Sequence, residues 1–279
     1  MKSFLVVSNK EKDPGNSVAG SIKEYLENRD CVCYCEYVMH DDVSAERLEK
    51  AAGAAQCVLV LGGDGTLIQV AGALAGWDIP LLGINLGTLG YLAEVERDHI
   101  IPTLERLILD EYDIEERMML CADTKGSVQA ALNDIVITRL GDLRVVRYRL
   151  NVNGKCLATY DADGIIVSTP TGSTGYNMSA GGPIVEPCAS IILVTPICPH
   201  TLNTRSVVLS ADDEIRIEIC ESKYRHEYEA YVSCDGAAAI ELAAGDAVNI
   251  KKATGVTKII KMSKEGFLEI LSRKLRKVN

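Results

Sequence analysis

The sequence predicts two domains: an α/β domain built on a parallel sheet, followed by a β-rich domain. In residues 1–120, short apolar runs alternate with helical patterns, which is typical of a parallel sheet with crossover helices. In residues 121–254, strand patterns follow one another directly, with turn signals between them. The segment from about 255 to 279 forms a helix with an apolar stripe, and we expect it to pack back on the first domain.

The elements of the first domain alternate regularly along the chain. Each predicted strand is a short run rich in Val, Ile, Leu or Cys, bounded by polar residues or glycine. Each predicted helix repeats apolar residues at intervals of three and four. The predicted strands are 4–8, 31–38, 57–63 and 80–85, and the predicted helices are 18–27, 45–54, 66–74 and 99–109.

The second domain is predicted to consist mostly of strands. Asn153-Gly154 and Asp235-Gly236 lie between alternating runs, and these dipeptides favour the tight turns of hairpins. The strand-forming segments are 128–139, 144–170, 191–199, 205–220, 226–236 and 245–253. The apolar stripe of the closing helix consists of Phe267, Leu271, Leu275 and Val278.

Composition and charge exclude several classes of protein. The chain has 279 residues, of which 47% are hydrophobic and 24% are charged, as in ordinary globular proteins of one or two domains. No stretch approaches the roughly 20 apolar residues that span a bilayer, and the first residues turn charged too early for a signal peptide. We therefore expect a cytoplasmic protein. The net charge of −10 argues against a nucleic-acid or membrane partner.

Two local features of the composition stand apart from this average. Cys31, Cys33 and Cys35 occupy every second position of a predicted strand, so their side chains share one face. They could form a thiolate metal site or be buried as small hydrophobic residues, and burial is favoured. The ten cysteines are expected to be reduced.

The last 29 residues hold nine Lys or Arg and two Glu, a net charge of +7, which favours a solvated basic helix on an acidic body.

The segment Gly62-Gly63-Asp64-Gly65-Thr66 is the first candidate site. It follows an apolar strand and precedes a helix, and in open parallel sheets ligands bind at this junction. The glycines allow close approach of the backbone, and a helix N-terminus attracts phosphate. Asp64 beside phosphates would accept a proton from a hydroxyl nucleophile or engage Mg²⁺, although a simple turn remains an alternative.

Three further segments carry polar chemistry beside apolar strands. Residues 83–92 again place glycines at a strand end, with Asn85 able to donate and accept hydrogen bonds. Asn133 and Asp134 precede an apolar strand, where they could serve an adenine edge and ribose hydroxyls or form a turn. Residues 163–183 are dense in glycine and hydroxyl groups, which satisfy ribose, amide and phosphate groups without excluding a dinucleotide.

Together these segments make the sequence similar to the NAD kinase family over residues 57–210. GGDGT alone is shared with lipid kinases and phosphofructokinases, whereas TPTGST followed by SAGGP marks the NAD kinases. The matching segments are GGDGT at 62–66, GINLGTLGYL at 83–92, ND at 133–134, DG and STPTGSTGY within 163–176, SAGGPI at 179–184 and TPICPHTL at 195–202.

The resemblance implies the activity and the partners of the protein. It implies transfer of a phosphoryl group from ATP, or from polyphosphate, to the 2′-hydroxyl of the adenosine ribose of NAD, giving NADP. Mg²⁺ is the implied divalent metal. The resemblance also implies a substrate bound between the two domains, in a homodimer or homotetramer whose sites borrow residues from a neighbouring subunit.

The resemblance further implies roles for individual residues. Asp64 is the implied catalytic residue at the ribose hydroxyl, Asn133 and Asp134 bind the adenosine half, and Asp163 faces the nicotinamide end. His200 and Arg205 are implied phosphate or subunit contacts, with a core position for His200 as an alternative. The implied substrate-binding residues are Gly63, Asp64, Gly65, Thr66, Asn85, Asn133, Asp134, Asp161, Asp163, Thr171, Thr174, Gly175, Tyr176 and Ser179.

Two departures from the family pattern and two rival functions stay open. Many family members have Ala where Gly175 stands and Arg where Asp161 stands, and the second change bears on whether NAD or NADH is preferred.

A lipid or sugar kinase would share GGDGT without explaining residues 163–183. A dinucleotide sensor without turnover would not need Asp64. Candidate cations for the donor phosphates are Arg139, Arg144, Arg147, Arg149 and Arg205.

Overall fold

The computed structural model describes residues 1–39, 43–87, 90–141, 145–200, 205–221, 229–263 and 265–276. The chain divides into two compact units. Unit 1 comprises Met1–Glu116 and Thr257–Asn279, and unit 2 comprises Arg117–Val256. The boundary predicted after residue 120 falls inside a strand that begins at Asp113.

The first stretch of unit 1 alternates strands and helices. The predicted helices are all present, with ends that differ by at most two residues. A fifth strand of two residues follows the fourth and was not predicted. The strands are β1 Ser3–Asn9, β2 Val32–Val38, β3 Cys57–Gly62, β4 Leu81–Asn85 and β5 Val95–Glu96, and the helices are α1 Ser17–Glu27, α2 Ala45–Ala52, α3 Asp64–Ala73 and α4 Ile100–Ile108.

These strands form a parallel sheet, which confirms the predicted α/β class. β1 lies between β2 and β3, and β4 lies between β3 and β5. Phe4, Val6 and Leu59 are fully buried in the apolar core of this unit, and residues of α1 and α4 cover them. Cys31 and Cys33 are buried in the same core, as the hydrophobic interpretation expected. The parallel arrangement brings the ends of β1, β3 and β4 to one edge of the sheet.

Unit 2 is β-rich, as predicted, and its described part includes a short 3₁₀ helix, Thr171–Thr174, and a short α-helix. Asn153 and Gly154 have φ angles of 51° and 75°, and they join two antiparallel strands in the predicted tight turn. The strands are β6 Asp113–Thr124, which begins in unit 1, β7 Ser127–Ala131, β8 Asp134–Arg139, β9 Val146–Val152, β10 Lys155–Ala162, β11 Gly164–Ser168, β12 Ile191–Ile197, β13 Val207–Ser210, β14 Ile215–Ile219, β15 Ala230–Cys234 and β16 Ile240–Leu242; the helix is α5 Tyr176–Ser179.

One antiparallel sheet of unit 2 carries the polar segments identified in the sequence. Its strand order is β13-β12-β11-β8-β15-β16. β8 therefore lies between β11 and β15, with Ser168 opposite Asp134 and Cys234 opposite Ile135. A core that includes the fully buried Tyr148, Ile165 and Ile217 fills the unit. The polar ends of β8, β11 and β15 consequently meet at one edge.

The chain ends with strand β17, Ala247–Lys261, and helix α6, Phe267–Arg276. Residues 255–261 were expected to belong to the closing helix, but they extend the strand. Val256, Thr257, Ile259 and Ile260 explain the difference, because β-branched side chains favour strands. In unit 1, Ile259 of β17 pairs in parallel with Leu81 of β4. Of the predicted stripe of α6, Phe267 and Leu271 are half-buried, while Val278 lies outside the described residues.

No helix within the described ranges is long and apolar enough to cross a membrane.

Candidate functional site

The first candidate site lies in unit 1, at the junction of β3 and α3. Asp64 is the first residue of α3, and Gly63 caps the helix in an extended conformation. The Asp64 carboxylate accepts three backbone N–H bonds: from Tyr91 at 2.6 Å, from Leu92 at 3.1 Å and from Ala93 at 3.0 Å. The loop that follows β4 thus encloses a carboxylate that β3 and α3 present. Asp64 remains half-buried, so a ligand can still reach it.

Glycine is required at two positions around this carboxylate. A Cβ atom on Gly90 would lie 1.8 Å from Oδ1 of Asp64, so any larger residue would displace the carboxylate or the loop. A Cβ atom on Gly62 would lie 2.5 Å from the hydroxyl oxygen of Thr66. That hydroxyl is buried and accepts a hydrogen bond at 3.1 Å from the side chain of Asn9, at the end of β1. Gly62 and Gly90 therefore allow close packing of neighbouring side chains, in addition to a tight backbone turn.

Other predicted residues of this motif have distinct environments. Gly65 is exposed in the first turn of α3. Asn85 is buried at the end of β4, and its side-chain oxygen accepts the Gly87 N–H at 2.8 Å. Thr88 and Leu89, which belong to the predicted motif at 83–92, lie outside the described residues. The amide of Asn85 thus shapes the loop that leads to the Asp64 ligands.

The second candidate site lies in unit 2, around Asn133 and Asp134 at the start of β8. The carboxylate of Asp235 accepts the backbone N–H groups of Leu132, Asn133 and Asp134, at 2.6, 2.9 and 2.9 Å. The N–H of Asp235 donates in return to the carbonyl oxygen of Asp134 at 3.0 Å. Asp235 has a φ angle of 51°, in the left-handed region, and Gly236 follows it in the same region. The predicted turn residue is therefore also the anchor of the Asn133-Asp134 segment.

The side chains of Asn133 and Asp134 are left with unused acceptor capacity. The side-chain oxygen Oδ1 of Asn133 is buried and has no hydrogen-bond partner. Asp134 is 7% exposed, and within the described parts of the chain no hydrogen bond reaches its carboxylate. Burial, and secondly the Asp235 carboxylate, raise the pKa of Asp134 to about 7. Burial also raises the pKa of Asp235 to about 6, against the three N–H bonds that favour its ionised form.

The glycine- and hydroxyl-rich segment holds the backbone of Asn133 in place. The carbonyl oxygen of Asn133 accepts the Thr169 N–H at 2.8 Å and the Ser168 hydroxyl at 3.2 Å. A Cβ atom on Gly172 would lie 2.2 Å from this same carbonyl oxygen. A Cβ atom on Gly175 would lie 3.3 Å from the carbonyl oxygen of Gly172 and 3.6 Å from Nδ2 of Asn133, so an alanine would require a small shift of the Gly172 backbone. Gly175 thus borders the unused acceptors of the second site.

The remaining predicted residues of this segment line its short helices. The Thr171 hydroxyl is buried and accepts from Arg117 at 3.4 Å, and the Thr174 hydroxyl donates to the Thr171 carbonyl oxygen at 3.4 Å. Tyr176 and Ser179 are exposed on α5. The loop after α5 is fixed by a residue that sequence reasoning missed: the side chain of Asn177 is fully buried and donates to the Pro183 carbonyl oxygen at 3.0 Å.

Asp161 and Asp163 both lie in ion pairs. Nε and Nη2 of Arg147 bind the two oxygens of Asp161 at 2.7 and 2.9 Å, and this hydrogen bonding lowers the pKa of Asp161. The Asp163 carboxylate lies 3.3 Å from Nε of Arg139. Both carboxylates therefore have their negative charge offset within unit 2. Arg149, another candidate for the donor phosphates, pairs with Glu218, while Arg144 lies outside the described residues.

His200 and Arg205, the implied phosphate or subunit contacts, are both exposed. The N–H of His200 donates to the carbonyl oxygen of Asp161 at 2.7 Å. The alternative of a core position for His200 is wrong, because the proline-bounded turn after β12 places it at the surface.

Three contributors to these sites were not predicted as such: Asn9, Asn177 and Asp235. Asn9 ends an apolar strand, which was a usable signal because the ends of parallel strands converge. Asp235 was recognised only as a turn residue, and its contact with residues 132–134 depends on the antiparallel neighbours of β8. Asn177 carried no distinguishing signal within its polar segment.

Family models for the ATP-NAD kinase N-terminal domain and C-terminal domain match residues 4–112 and 132–262. An NAD kinase of Agathobacter rectalis is 46% identical over 282 residues, which cover 99% of this chain and 99% of that protein. An NAD kinase of Lachnoclostridium phytofermentans is 42% identical over 286 residues, with 98% and 99% covered.

Two solved structures share the fold. A yeast NADH kinase complexed with NADH superposes with a TM-score of 0.85 at 22% identity, covering 99% of this chain and 87% of that chain. An NAD kinase from Archaeoglobus fulgidus in complex with ATP superposes with a TM-score of 0.80 at 24% identity, and both chains are fully covered.

Proposed function

The chain belongs to the NAD kinase family, and we propose that it transfers the terminal phosphoryl group of ATP to the 2′-hydroxyl of the adenosine ribose of NAD, giving NADP. Asp64 would be the catalytic residue. Asn133, Asp134 and their neighbours in unit 2 would bind the adenosine half of NAD.

The observation that carries this proposal is the environment of Asp64. An ionised carboxylate offers about four acceptor sites. Three are occupied by the N–H groups of Tyr91, Leu92 and Ala93, and Oδ2 receives only one of these. Oδ2 therefore keeps a direction in which it can accept the hydrogen of an alcohol. A fixed carboxylate with one free acceptor position suits a group that orients a hydroxyl nucleophile and removes its proton.

The second site would recognise adenosine by its hydrogen-bond donors. The unpartnered Asn133 oxygen and the Asp134 carboxylate both require donors, because buried acceptors without partners are costly. Adenosine presents such donors in its exocyclic amino group and its ribose hydroxyls. The polar segment 171–179 would supply further hydroxyl and backbone contacts at Thr171, Thr174, Gly175, Tyr176 and Ser179.

The phosphoryl donor would be ATP as its Mg²⁺ complex, in which the metal belongs to the substrate. In phosphoryl transfer Mg²⁺ is held mainly by phosphate oxygens with one or two carboxylates, and it neutralises the developing charge. Across the described ranges, no group of three His, Cys, Asp or Glu side chains could hold a metal. Exposed Gly65, in the first turn of α3, leaves the helix N-terminus open to the donor phosphates.

The setting of the enzyme is part of the proposal. We place it in the cytoplasm as a homodimer or homotetramer, as the family resemblance implies. The ten cysteines are all free, which suits a reducing compartment.

The test is the formation of NADP by the purified protein with ATP, Mg²⁺ and NAD, followed with an NADP-specific dehydrogenase. A parallel reaction with NADH, followed by chromatography of NADPH, measures the preference between the two dinucleotides. We expect product with NAD and ATP. No product from either dinucleotide, with ATP or with polyphosphate, would refute the kinase and favour a sensor that binds the dinucleotide without turnover.

A further inference from the structure

We propose that Lys274 in α6 is a positioning residue for Asp64, and that it acts through the ring of Tyr91. The inference rests on the proposed function, since it assigns a role within the same site. It also gives a task to the basic C-terminal segment, which the reaction alone does not explain.

The contact between the two side chains is direct. The ammonium nitrogen of Lys274 lies 3.6 Å from the centroid of the Tyr91 ring, well within the range of a cation–π interaction. The backbone N–H of the same tyrosine makes the shortest of the three hydrogen bonds to Asp64, at 2.6 Å. Whatever holds the Tyr91 ring therefore also restrains the donor that orients Oδ2, the oxygen with a free acceptor position.

Two glycines precede Tyr91 in the described part of this loop. Gly87 and Gly90 stand in the loop between β4 and Tyr91, and glycine has the largest conformational freedom of any residue. The ring of Tyr91 is half-buried, and burial raises the pKa of its hydroxyl, with the nearby Asp64 charge as the second cause. Anchoring this ring is thus one means by which the unit can hold the backbone at Tyr91.

A second contact ties the C-terminal segment to the same stretch of chain. The Glu94 carboxylate accepts the backbone N–H groups of Met262 and Ser263 and pairs with the Lys261 ammonium. Glu94 directly follows Ala93, the third N–H donor to Asp64. The segment after β17 therefore brackets residues 91–94, with Glu94 held at one end and the Tyr91 ring at the other.

Lys274 differs in this respect from its neighbour on α6. Arg273 pairs with Glu265 at 3.1 Å, and both side chains are partly solvent-accessible. The two residues carry the same charge on the same helix, so they form a matched pair for separating a specific contact from the general basic charge of α6.

The experiment compares steady-state kinetics of Lys274→Ala and Arg273→Ala. We expect Lys274→Ala to lower kcat about 2- to 5-fold, the range that an exposed cation–π contact supports, with KM for NAD and for ATP within about twofold of wild type. Lys274→Arg should restore kcat, because a guanidinium also binds an aromatic face. Arg273→Ala should leave kcat unchanged. Equal losses in the two alanine variants, or none in Lys274→Ala, would overturn the proposal.

Two further measurements separate this inference from the proposed function. With Tyr91→Leu as background, Lys274→Ala should cause no additional loss of kcat, since the residue that transmits the effect is gone. Amide hydrogen exchange of residues 91–93 should accelerate in Lys274→Ala and not in Arg273→Ala. The exchange result does not depend on turnover, so it tests the contact even if the protein produced no NADP. Unchanged exchange in Lys274→Ala would refute the positioning role.

Discussion

Asp64 in unit 1 and Asp134 in unit 2 are two carboxylates with opposite surroundings. Asp64 is half-buried and accepts three backbone N–H bonds from a neighbouring loop. Asp134 is buried, and no described group donates to its carboxylate, while the carboxylate of Asp235 lies near it. Asp235 takes the three backbone N–H groups that could otherwise have served Asp134.

The difference shows that the same chain holds one carboxylate with backbone donors and leaves another buried without them. Backbone donors fix the position of Asp64, as the proposed role of orienting a reacting hydroxyl would require. The absence of donors leaves Asp134 and the Asn133 oxygen dependent on a ligand to satisfy them. Under the proposed function, the first arrangement would be ready before substrate arrives, whereas the second would be completed by substrate.

The largest expected effect comes from removing the charge of Asp64. Asp64→Asn should lower kcat by about 10²- to 10⁴-fold, the usual contribution of a general base, and the amide would also place a donor against the N–H groups of the loop. Steady-state assay of NADP formation measures the loss. Asp98→Asn, at an exposed position of unit 1, is the control for charge alone. A kcat for Asp64→Asn within tenfold of wild type would show that Asp64 is not the base.

A smaller effect is expected from displacing the carboxylate without changing it. In Gly90→Ala the new methyl would overlap Oδ1 of Asp64, and misplacing a catalytic group by about 1 Å can cost about 10²-fold in rate. We expect kcat to fall by about 10- to 100-fold. Gly87→Ala adds the same methyl group in the same loop, where no described residue other than its chain neighbour comes within 4 Å of it. If both variants lost activity equally, loop flexibility and not the position of Asp64 would be the cause.

The smallest expected effect is a pH-dependent change in thermal stability when Asp134 is replaced. Because the pKa of Asp134 is raised to about 7, its contribution to stability is complete below about pH 4 and declines as the pH rises through 7. Asp134→Asn removes the buried charge, so its Tm should exceed that of wild type by about 5 °C at pH 8 and by little at pH 5. Thermal unfolding at both pH values measures this difference.

The control for this last comparison is Asp212→Asn, which removes a charge from an exposed position and should shift Tm similarly at both pH values. A constant Tm difference between Asp134→Asn and wild type from pH 5 to pH 8 would mean that Asp134 does not take up a proton over this range.

The sequence was sufficient for the fold class and for most strands and helices, but it did not predict β5, β6 or β16, and it assigned residues 255–261 to the closing helix. Alternating apolar runs and glycine-bounded strand ends are local signals, and GGDGT at the end of β3 was placed correctly by them. The hydrogen-bond donors to Asp64 could not be predicted from the sequence. They are the backbone N–H groups of Tyr91, Leu92 and Ala93, and the side chains of these residues do not indicate that role. The partner of residues 132–134 was missed for a similar reason, since only strand order brings Asp235 to the start of β8.

Unit 1 is interrupted in the chain by the whole of unit 2, and this governs the order in which a ribosome could deliver its parts. Residues 1–116 emerge first, but Ile259, the partner of Leu81, and the residues that bind Glu94 follow only after unit 2 has been synthesised. Domains generally fold as units during synthesis, with those completed first folding first. Unit 2 can therefore mature before unit 1, and Glu94, next to the donors of Asp64, gains its contacts with residues 261–263 only after unit 2 has been made.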